Sequence, residues 1–526
     1  MSLRGNTAVL CLAWVVVTAC GQRSDEPEDR GRVSQVERAA LRAERPWEPG
    51  VVLVKPLRAG PAAGGGRALA ASLQLDHLSG PGKTGVHRMR IRGEQDARQA
   101  AARLARHPQL AYAEPNYRIE LAAMPDDPSF CDCWALHNTG QFGGTPDADI
   151  DAPEAWDIST GSREVIVALI DTGIDLEHPD LIDNIWTNPD EIPDNGLDDD
   201  DNGYIDDVHG WSFVDDSNDV QDSHGHGTAC AGAIGAVGDN GLGVAGVAWN
   251  VQIMPIRFRT YGNDPDYEET YTLDAAEAIY YAVDEGARVT SNSWTSWFPS
   301  QTLYDAVSYA DEHEVLVIGA AGNQASNIEY PGFNKFPAEW EHDCVISVAA
   351  TDDADRPTWW SNWGPEAADL AAPGENVLTT ALGGGYESFG GTSLSTPLVA
   401  GTAALLLAID PEASLQDVRH CMLSTVDPLP GVSGWTATDG RLNAHRAVQA
   451  MSGQPLPPRA HAGADRVVVT REPVQLDGSA SVDPNRDAIS YHWTLTPRPD
   501  PPRCWTMRQP SIRASWPTGA VPTRPN

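Results

Sequence analysis

The sequence predicts a doubly wound α/β fold built on a mainly parallel sheet. Three observations carry that expectation. Val165–Ile170 is an unbroken run with both faces apolar, as a strand covered on both sides must be. Further apolar runs at Val251–Ile256, Arg288–Trp294, Val315–Asn323 and Val345–Ala350 alternate with helical stretches such as Leu273–Glu285. Polar residues stand where strands stop or helices start, and open α/β sheets collect function at the carboxyl ends of their strands.

Composition narrows the function classes. The chain has 526 residues, enough for two to four domains, and 41 % hydrophobic content, enough for a large core. Its 36 basic and 74 acidic residues leave a net charge of −38, which argues against nucleic-acid and anionic-membrane partners. No apolar run of about 20 residues follows the N-terminus, so no transmembrane span is expected. A monomer is expected.

In chain order, Arg4 and the apolar run Ala8–Ala19 form an export signal over residues 1–20. The run ends Val17-Thr-Ala-Cys20, which resembles a bacterial lipobox and implies a lipid anchor on Cys20; the alternative is free secretion. Export means an oxidising compartment, and six cysteines remain beyond Cys11 and Cys20. Cys131 and Cys133 are too close to suit each other, so one of them is a candidate partner for Cys344 or Cys421. Residues 21–47 are charged and read as a disordered tether. Residues 48–123 read as a small α+β unit: a strand at Val51–Pro56, a helix at Ala97–His107 and a closing strand and turn at Leu110–Tyr117. The main domain is expected over 124–453.

Within it, Asp171-Thr-Gly173 closes the first strand, so Asp171 is a functional carboxylate or a turn residue. Asp222-Ser-His224-Gly-His226-Gly-Thr228 precedes a small-residue run to Ile234, a helix with a histidine at its start. Zinc is disfavoured, because no third His or paired Cys sits at ligand spacing. Gly391-Thr-Ser393-Leu-Ser-Thr-Pro397 opens the apolar run Leu398–Ala408, a helix entered through glycines. A serine there sits beside unpaired backbone N–H groups, as an oxyanion requires, although a simple helix cap would also place it there. The order Asp…His…Ser is one of the known orders of a serine hydrolase triad.

These motifs, with His178-Pro-Asp-Leu181 and Ala320-Ala-Gly-Asn323, resemble the subtilase (subtilisin-like) serine endopeptidases over Ser129–Met451. The resemblance implies that Ser393 is the nucleophile, His226 the base and Asp171 its orienting partner. Asn323 supplies the oxyanion amide, and protein or peptide is the substrate. His226 is preferred to His224 because only it carries the Gly-Thr and the small-residue helix. Ser293, Trp294 and Thr295 match the family's substrate-pairing strand and Gly322 its pocket. Trp294 is either a subsite wall or a core residue, and Thr295 stands where many relatives have Gly. The unit ending Glu114-Pro-Asn-Tyr117 resembles the family's inhibitory pro-domains, which implies an intramolecular inhibitor and a self-processing zymogen cut between Leu121 and Asp126.

Structural Ca²⁺ is expected at two places. In the acidic insert Asp194–Asp207, the residues Asp198, Asp200, Asn202 and Gly203 match the first half of an EF-hand loop, but position twelve is His209 rather than Glu. Asp198, Asp200, Asn202 and Asp206 are the expected ligands there, since so many carboxylates repel without a cation. By resemblance, Asp180 and the loop 238–244 match the family's high-affinity site, with Asn240 giving a side-chain oxygen and Gly238, Leu242 and Val244 carbonyls.

Residues 454–459 read as a stiff Pro-rich linker. Residues 460–526 resemble the start of a PKD-type Ig-like module. The pattern collapses after Leu495, and about 65 residues cannot complete a sandwich that needs nearer 100. Back-translated two bases along, Arg503–Arg508 can spell Leu-Leu-Asp-Asp-Ala-Thr, so a frameshift is expected.

Overall fold

A computed structural model describes residues 47–57, 65–80, 84–93, 96–117, 124–259, 271–429, 432–460, 478–479 and 481–490. The export signal, the lipobox, the tether up to residue 46 and most of the C-terminal module lie outside the described residues. The chain divides into two compact units, Met1–Glu120 and Leu121–Asn526.

The first unit runs β1 (Trp47–Pro56), α1 (Gly65–Ser72), β2 (Leu75–Ser79), β3 (His87–Ile91), α2 (Ala97–Leu104) and β4 (Leu110–Tyr117). Its sheet has the order β2-β3-β1-β4, antiparallel throughout, which with this βαββαβ connectivity is the ferredoxin-like arrangement. Asp96 starts α2 by accepting from the backbone N–H groups of Arg98 and Gln99. Ala97, Ala100, Ala101 and Leu104, at helical spacing, bury one face of α2 in a small core with Val52, Val54 and Met89. The first strand begins at Trp47, inside the stretch expected to be tether.

The second unit runs α3 (Ala152–Trp156), β5 (Gly161–Asp171), β6 (Trp211–Ser212), α4 (His226–Gly235), β7 (Asn250–Arg257), α5 (Thr272–Asp284), β8 (Val289–Asn292) and α6 (Gln301–Glu312). It continues with β9 (Leu316–Ala320), β10 (Val345–Thr351), β11 (Leu370–Pro373), β12 (Val377–Ala381), β13 (Gly385–Phe389), α7 (Thr392–Ile409), α8 (Leu415–Ser424), β14 (Asp427–Pro428), β15 (Gly440–Arg441) and α9 (Ala444–Met451). One nine-stranded sheet has the order β14-β15-β11-β10-β9-β8-β5-β7-β6. Its pairs are parallel except the edge pair β14–β15. The doubly wound, mainly parallel α/β fold is therefore present. After β5 the chain builds outward on one side through β7 and on the other through β8, β9 and β10. The carboxyl ends of β5 and β8 thus open at the point where the winding reverses.

Helix α7 is apolar or small on nearly every face, the pattern of a helix buried on all sides. It packs across β5, β8, β9, β10 and β11 and against α4. By length and composition it could cross a bilayer, but its residues are buried inside this unit. Its position carries the Gly391–Pro397 motif to the ends of the central strands. The hairpin β12–β13, which has no apolar-run signature in the sequence, pairs antiparallel, with β12 packed on α4.

Candidate active site

Ser393 is the second residue of α7, and its own N–H lies outside the helix's hydrogen-bond ladder. The entry residue Gly391 has φ +150°, and a side chain there would put its first carbon 3.3 Å from Asn323 Nδ2 and 3.5 Å from Ser393 N. Glycine therefore keeps open the space that both donors face. Pro397 lies sixth in the helix, beyond its first turn. Having no N–H, it cannot bond the carbonyl of Ser393 four residues back. That carbonyl instead accepts the Ser293 hydroxyl at 2.9 Å and the Cys230 thiol at 3.3 Å. The proline thus leaves the Ser393 carbonyl free to tie this turn to the end of β8 and to α4.

Asp171 is the last residue of β5 and is buried. Its Oδ1 lies 2.7 Å from Nδ1 of His226, the first residue of α4. Burial disfavours the imidazolium, but the Asp171 carboxylate outweighs it and holds the His226 pKa well above the usual histidine value. The Ser393 hydroxyl is half-buried, and its hydrogen bond goes to the Ser293 carbonyl at 3.3 Å rather than to His226. Catalytic hydrogen bonds in substrate-free sites are often loose or unmade in this way.

The sequence reading missed Asp222, which fixes this geometry. It is buried, and one oxygen accepts from the N–H groups of His224 (2.8 Å) and Gly225 (3.0 Å) and from Thr172 Oγ1 (3.0 Å). The other accepts from the N–H and hydroxyl of Thr228 at 3.0 and 2.7 Å. Thr172 in turn accepts from Gly227 N at 2.9 Å, so the residue after Asp171 is laced to both sides of His226. An aspartate four residues before the histidine, just ahead of a helix start, was the available signal. Asp222→Ala leaves buried donors unsatisfied and is expected to cost about 2 kcal/mol or more. A calorimetric midpoint unchanged from wild type would show that the brace carries no such load.

Asn323 follows β9. Its Oδ1 accepts from the N–H and the hydroxyl of Thr392, each at 3.0 Å, which turns its Nδ2 toward the Gly391 space. β8 ends at Asn292, earlier than expected, because the next residue, Ser293, is committed to Ser393. Of the two roles open to Trp294, the structure gives the core one: the ring is buried and packs on Phe258 at 5.1 Å. Thr295 is half-buried and Gly322 buried. Thr295, Gly322, Asn323, Ser393 and His226 thus gather near the ends of β8, β9 and β5.

The two acidic regions are also organised. Asp180 is fully buried; it accepts from Asn240 Nδ2 at 2.7 Å and Val244 N at 3.0 Å. Asp127, which the sequence reading missed, accepts from the N–H groups of Asp239 (2.8 Å) and Asn240 (3.2 Å). The loop carrying Gly238, Asn240, Leu242 and Val244 is therefore held between two carboxylates that burial pushes up in pKa. In the insert, oxygens of Glu191, Asp198 and Asp200 lie within 4.8 Å of one another. Asn202 turns its amide nitrogen to Asp200, Asp207 and Glu285 and its oxygen to Tyr204 N. Asp206 instead accepts from the N–H groups of Asn195 and Gly196, so it stands apart from that cluster. Glu191 lies ahead of the half EF-hand and outside its ligand spacing, which is why the motif did not reveal it.

The expected disulfides are absent among the described residues, where Cys131, Cys133, Cys230, Cys344 and Cys421 are all free. Cys133 and Cys344 bond different carbonyls, Ser129 and Val307, and burial pushes the Cys133 thiol up to about 12. Cys504 lies outside the described residues.

Comparison with known proteins agrees with this geometry. The Subtilase family model matches residues 162–451. Thermitase of Thermoactinomyces vulgaris is 35 % identical over 62 % of this chain and 99 % of its own. An extracellular protease of Xanthomonas campestris is 30 % identical over 68 % of this chain and 62 % of its own. A solved protease of Pseudoalteromonas arctica covers 63 % of this chain and 100 % of its own, with a TM-score of 0.51 and 28 % identity. With the family model spanning the sheet, the histidine helix and the nucleophile helix, the chain belongs to the subtilase family and is a subtilisin-like serine endopeptidase.

Proposed function

We propose that the protein is an exported, self-processing zymogen whose mature form hydrolyses peptide bonds in proteins through Asp171, His226 and Ser393, with Asn323 in the oxyanion hole. The observation that carries this reading is the 2.7 Å Asp171–His226 contact beside the start of a helix whose second residue is Ser393. His226 takes the Ser393 proton as the hydroxyl attacks the scissile carbonyl, and then passes it to the leaving amine. Asp171 holds the tautomer and stabilises the imidazolium. Asn323 Nδ2 and Ser393 N receive the oxyanion. The residue 47–117 unit is assigned the inhibitory pro-domain role on its resemblance and its position ahead of the main domain. Export follows from the N-terminal signal and accords with the extracellular naming of the Xanthomonas relative.

Calcium is proposed as a structural ion at both acidic regions. The donor chemistry fits: hard oxygens converge, and Glu191 Oε2 is buried without a hydrogen-bond partner. Glu191, Asp198 and Asp200 would hold one ion, and Asp127, Asp180 and the 238–244 loop the other. The ion would neutralise carboxylates that burial and mutual repulsion now disfavour, as at Glu285, which is pushed up to about 7. EDTA is expected to lower the thermal midpoint of the mature enzyme and to speed its autolysis. Identical melting curves with and without chelator would remove the calcium assignment.

The test of the whole reading is fluorophosphonate labelling of wild type beside Ser393→Ala, with intact mass. Wild type should label and lose about its first 120 residues, the span of the first unit; the variant should do neither. If the wild type stays unlabelled after trypsin has removed the pro-segment, the triad assignment is lost.

A further inference from the structure

The hairpin β12–β13 contributes no residue to the triad, yet it is bonded to each of the three segments that carry one. On β12, Thr379 and Thr380 are buried, and their hydroxyls donate to the carbonyls of Ala229 at 2.8 Å and Thr228 at 2.7 Å. Those residues lie in the first turn of α4, just after His226. The approach is close: a side chain at Gly232 would put its first carbon 2.2 Å from Thr380 Oγ1. At the hairpin tip, Leu382 lies against Gly225, the residue before His226. β13 then runs through Phe389 into the turn Gly390–Ser393, and Gly391 N donates at 2.8 Å to the carbonyl of Gly374, just ahead of β12.

The third segment is the one that follows Asp171. Gly383 N donates to Asp175 Oδ2 at 2.8 Å. Asp180 N donates to His178 Nδ1 at 3.1 Å, which leaves the ring proton on Nε2, and Nε2 donates to Gly385 O at 3.0 Å. Tyr386 adds a side-chain fastening at the same place. Its ring stands edge-on to the buried His178, with 5.5 Å between centroids and 88° between planes. Gly243 lies so close that a side chain there would overlap the ring, its first carbon 1.9 Å from Tyr386 Cε1. The Tyr386 hydroxyl bonds the Asp180 carboxylate, which also accepts from Asn240 and Val244. Burial and the Asp180 charge push the phenol's pKa up, so it stays a donor. One tyrosine thus joins the hairpin, the Asp171 segment and the 238–244 loop.

We propose that Tyr386 is a positioning residue for the triad: it fixes the hairpin through which the Asp171 segment, α4 and the Ser393 turn hold one another in register. The proposal rests on the triad assignment above. A displacement of about 1 Å among reacting groups costs about 10²-fold in rate, even when its cause is remote from the chemistry. The contacts of Tyr386 described above are all with this framework, so its loss should fall on kcat and leave KM nearly unchanged. The competing reading is that the β12–α4 bonds hold the hairpin by themselves, in which case Tyr386 serves stability alone.

The experiment uses mature wild type, Tyr386→Phe and Tyr386→Ala with calcium in excess, well below every melting midpoint. It reads kcat and KM on one peptide substrate and the rate of fluorophosphonate labelling. Tyr386→Phe keeps the ring and loses the hydroxyl bond, and its kcat and labelling rate should both fall by about three- to tenfold. Tyr386→Ala loses the ring as well and should fall by about 10²-fold, so that phenylalanine restores part of what alanine removes. A Tyr386→Phe enzyme with wild-type kcat and labelling rate overturns the proposal, whether or not Tyr386→Ala folds. A lowered melting midpoint with unchanged rates, or a loss that lies wholly in KM, overturns it too. If wild type labels and turns over while the variants match it, this inference alone falls. If wild type does neither once the pro-segment is removed, the triad reading falls and this inference with it.

Discussion

Asp171→Asn is expected to lower kcat by about four orders of magnitude while leaving the fold intact. The carboxylate does two things that an amide cannot. Its Oδ1, 2.7 Å from His226 Nδ1, forces the proton onto that nitrogen and leaves Nε2 free as the base. In the proposed mechanism its charge also stabilises the imidazolium that forms when Ser393 attacks. An asparagine turned to donate would fix the opposite tautomer and point the ring's proton at the nucleophile. The pH profile gives an independent sign. His226 must be neutral to act, so activity is lost as pH falls through its pKa. In the wild type Asp171 overcomes burial and raises that pKa, so the acid limb of kcat/KM should lie above the ordinary histidine value of about 6.5. In Asp171→Asn the carboxylate charge that opposes burial is gone, and the limb of the residual activity should move to lower pH. A wild-type acid limb well below 6.5, or a variant with near-normal kcat, would contradict the assigned role.

Asn323→Ala is expected to reduce kcat by about 10²- to 10³-fold, or about 2.7–4 kcal/mol of barrier, with KM little changed. The reason is geometric. Thr392 holds the Asn323 oxygen through two bonds of 3.0 Å, so the amide nitrogen is aimed before substrate arrives. A donor fixed in advance acts on the charge that develops in the transition state, not on the ground-state carbonyl, so the loss falls on kcat. Thr392→Val keeps the backbone bond and removes the hydroxyl one, and should give an intermediate loss. Steady-state kinetics on one peptide substrate measure both variants. An Asn323→Ala enzyme with unchanged kcat and raised KM would assign the residue to binding instead.

Much of this site was readable before any coordinates. Asp171, His226 and Ser393 each sit at a strand end or helix start that local sequence marks: an apolar run ending in Asp-Thr-Gly, a His before small residues, a Gly-rich entry to an apolar helix. Those are short-range signals, set by hydrogen-bond supply at element termini and by the period of apolar residues. The fold class was readable for the same reason, since parallel strands covered on both faces must be apolar throughout. The hairpin β12–β13 was not, because its residues 377–389 follow neither period cleanly.

The sequence by itself determined the strand–helix alternation, the order Asp…His…Ser, the acidic insert and the isolation of an oxyanion asparagine after an apolar strand. Only the tertiary structure decided which distant groups share a space. It bonded Asp222 to Thr172 and Thr228, the neighbours of Asp171 and His226, set Asp127 and Glu191 beside the carboxylates they join, turned Trp294 into the core and left five cysteines unpaired among the described residues. Local propensity acts through neighbours along the chain, whereas the cost of burying a charge depends on whatever the fold brings within a few ångströms of it, and no spacing in the sequence records that.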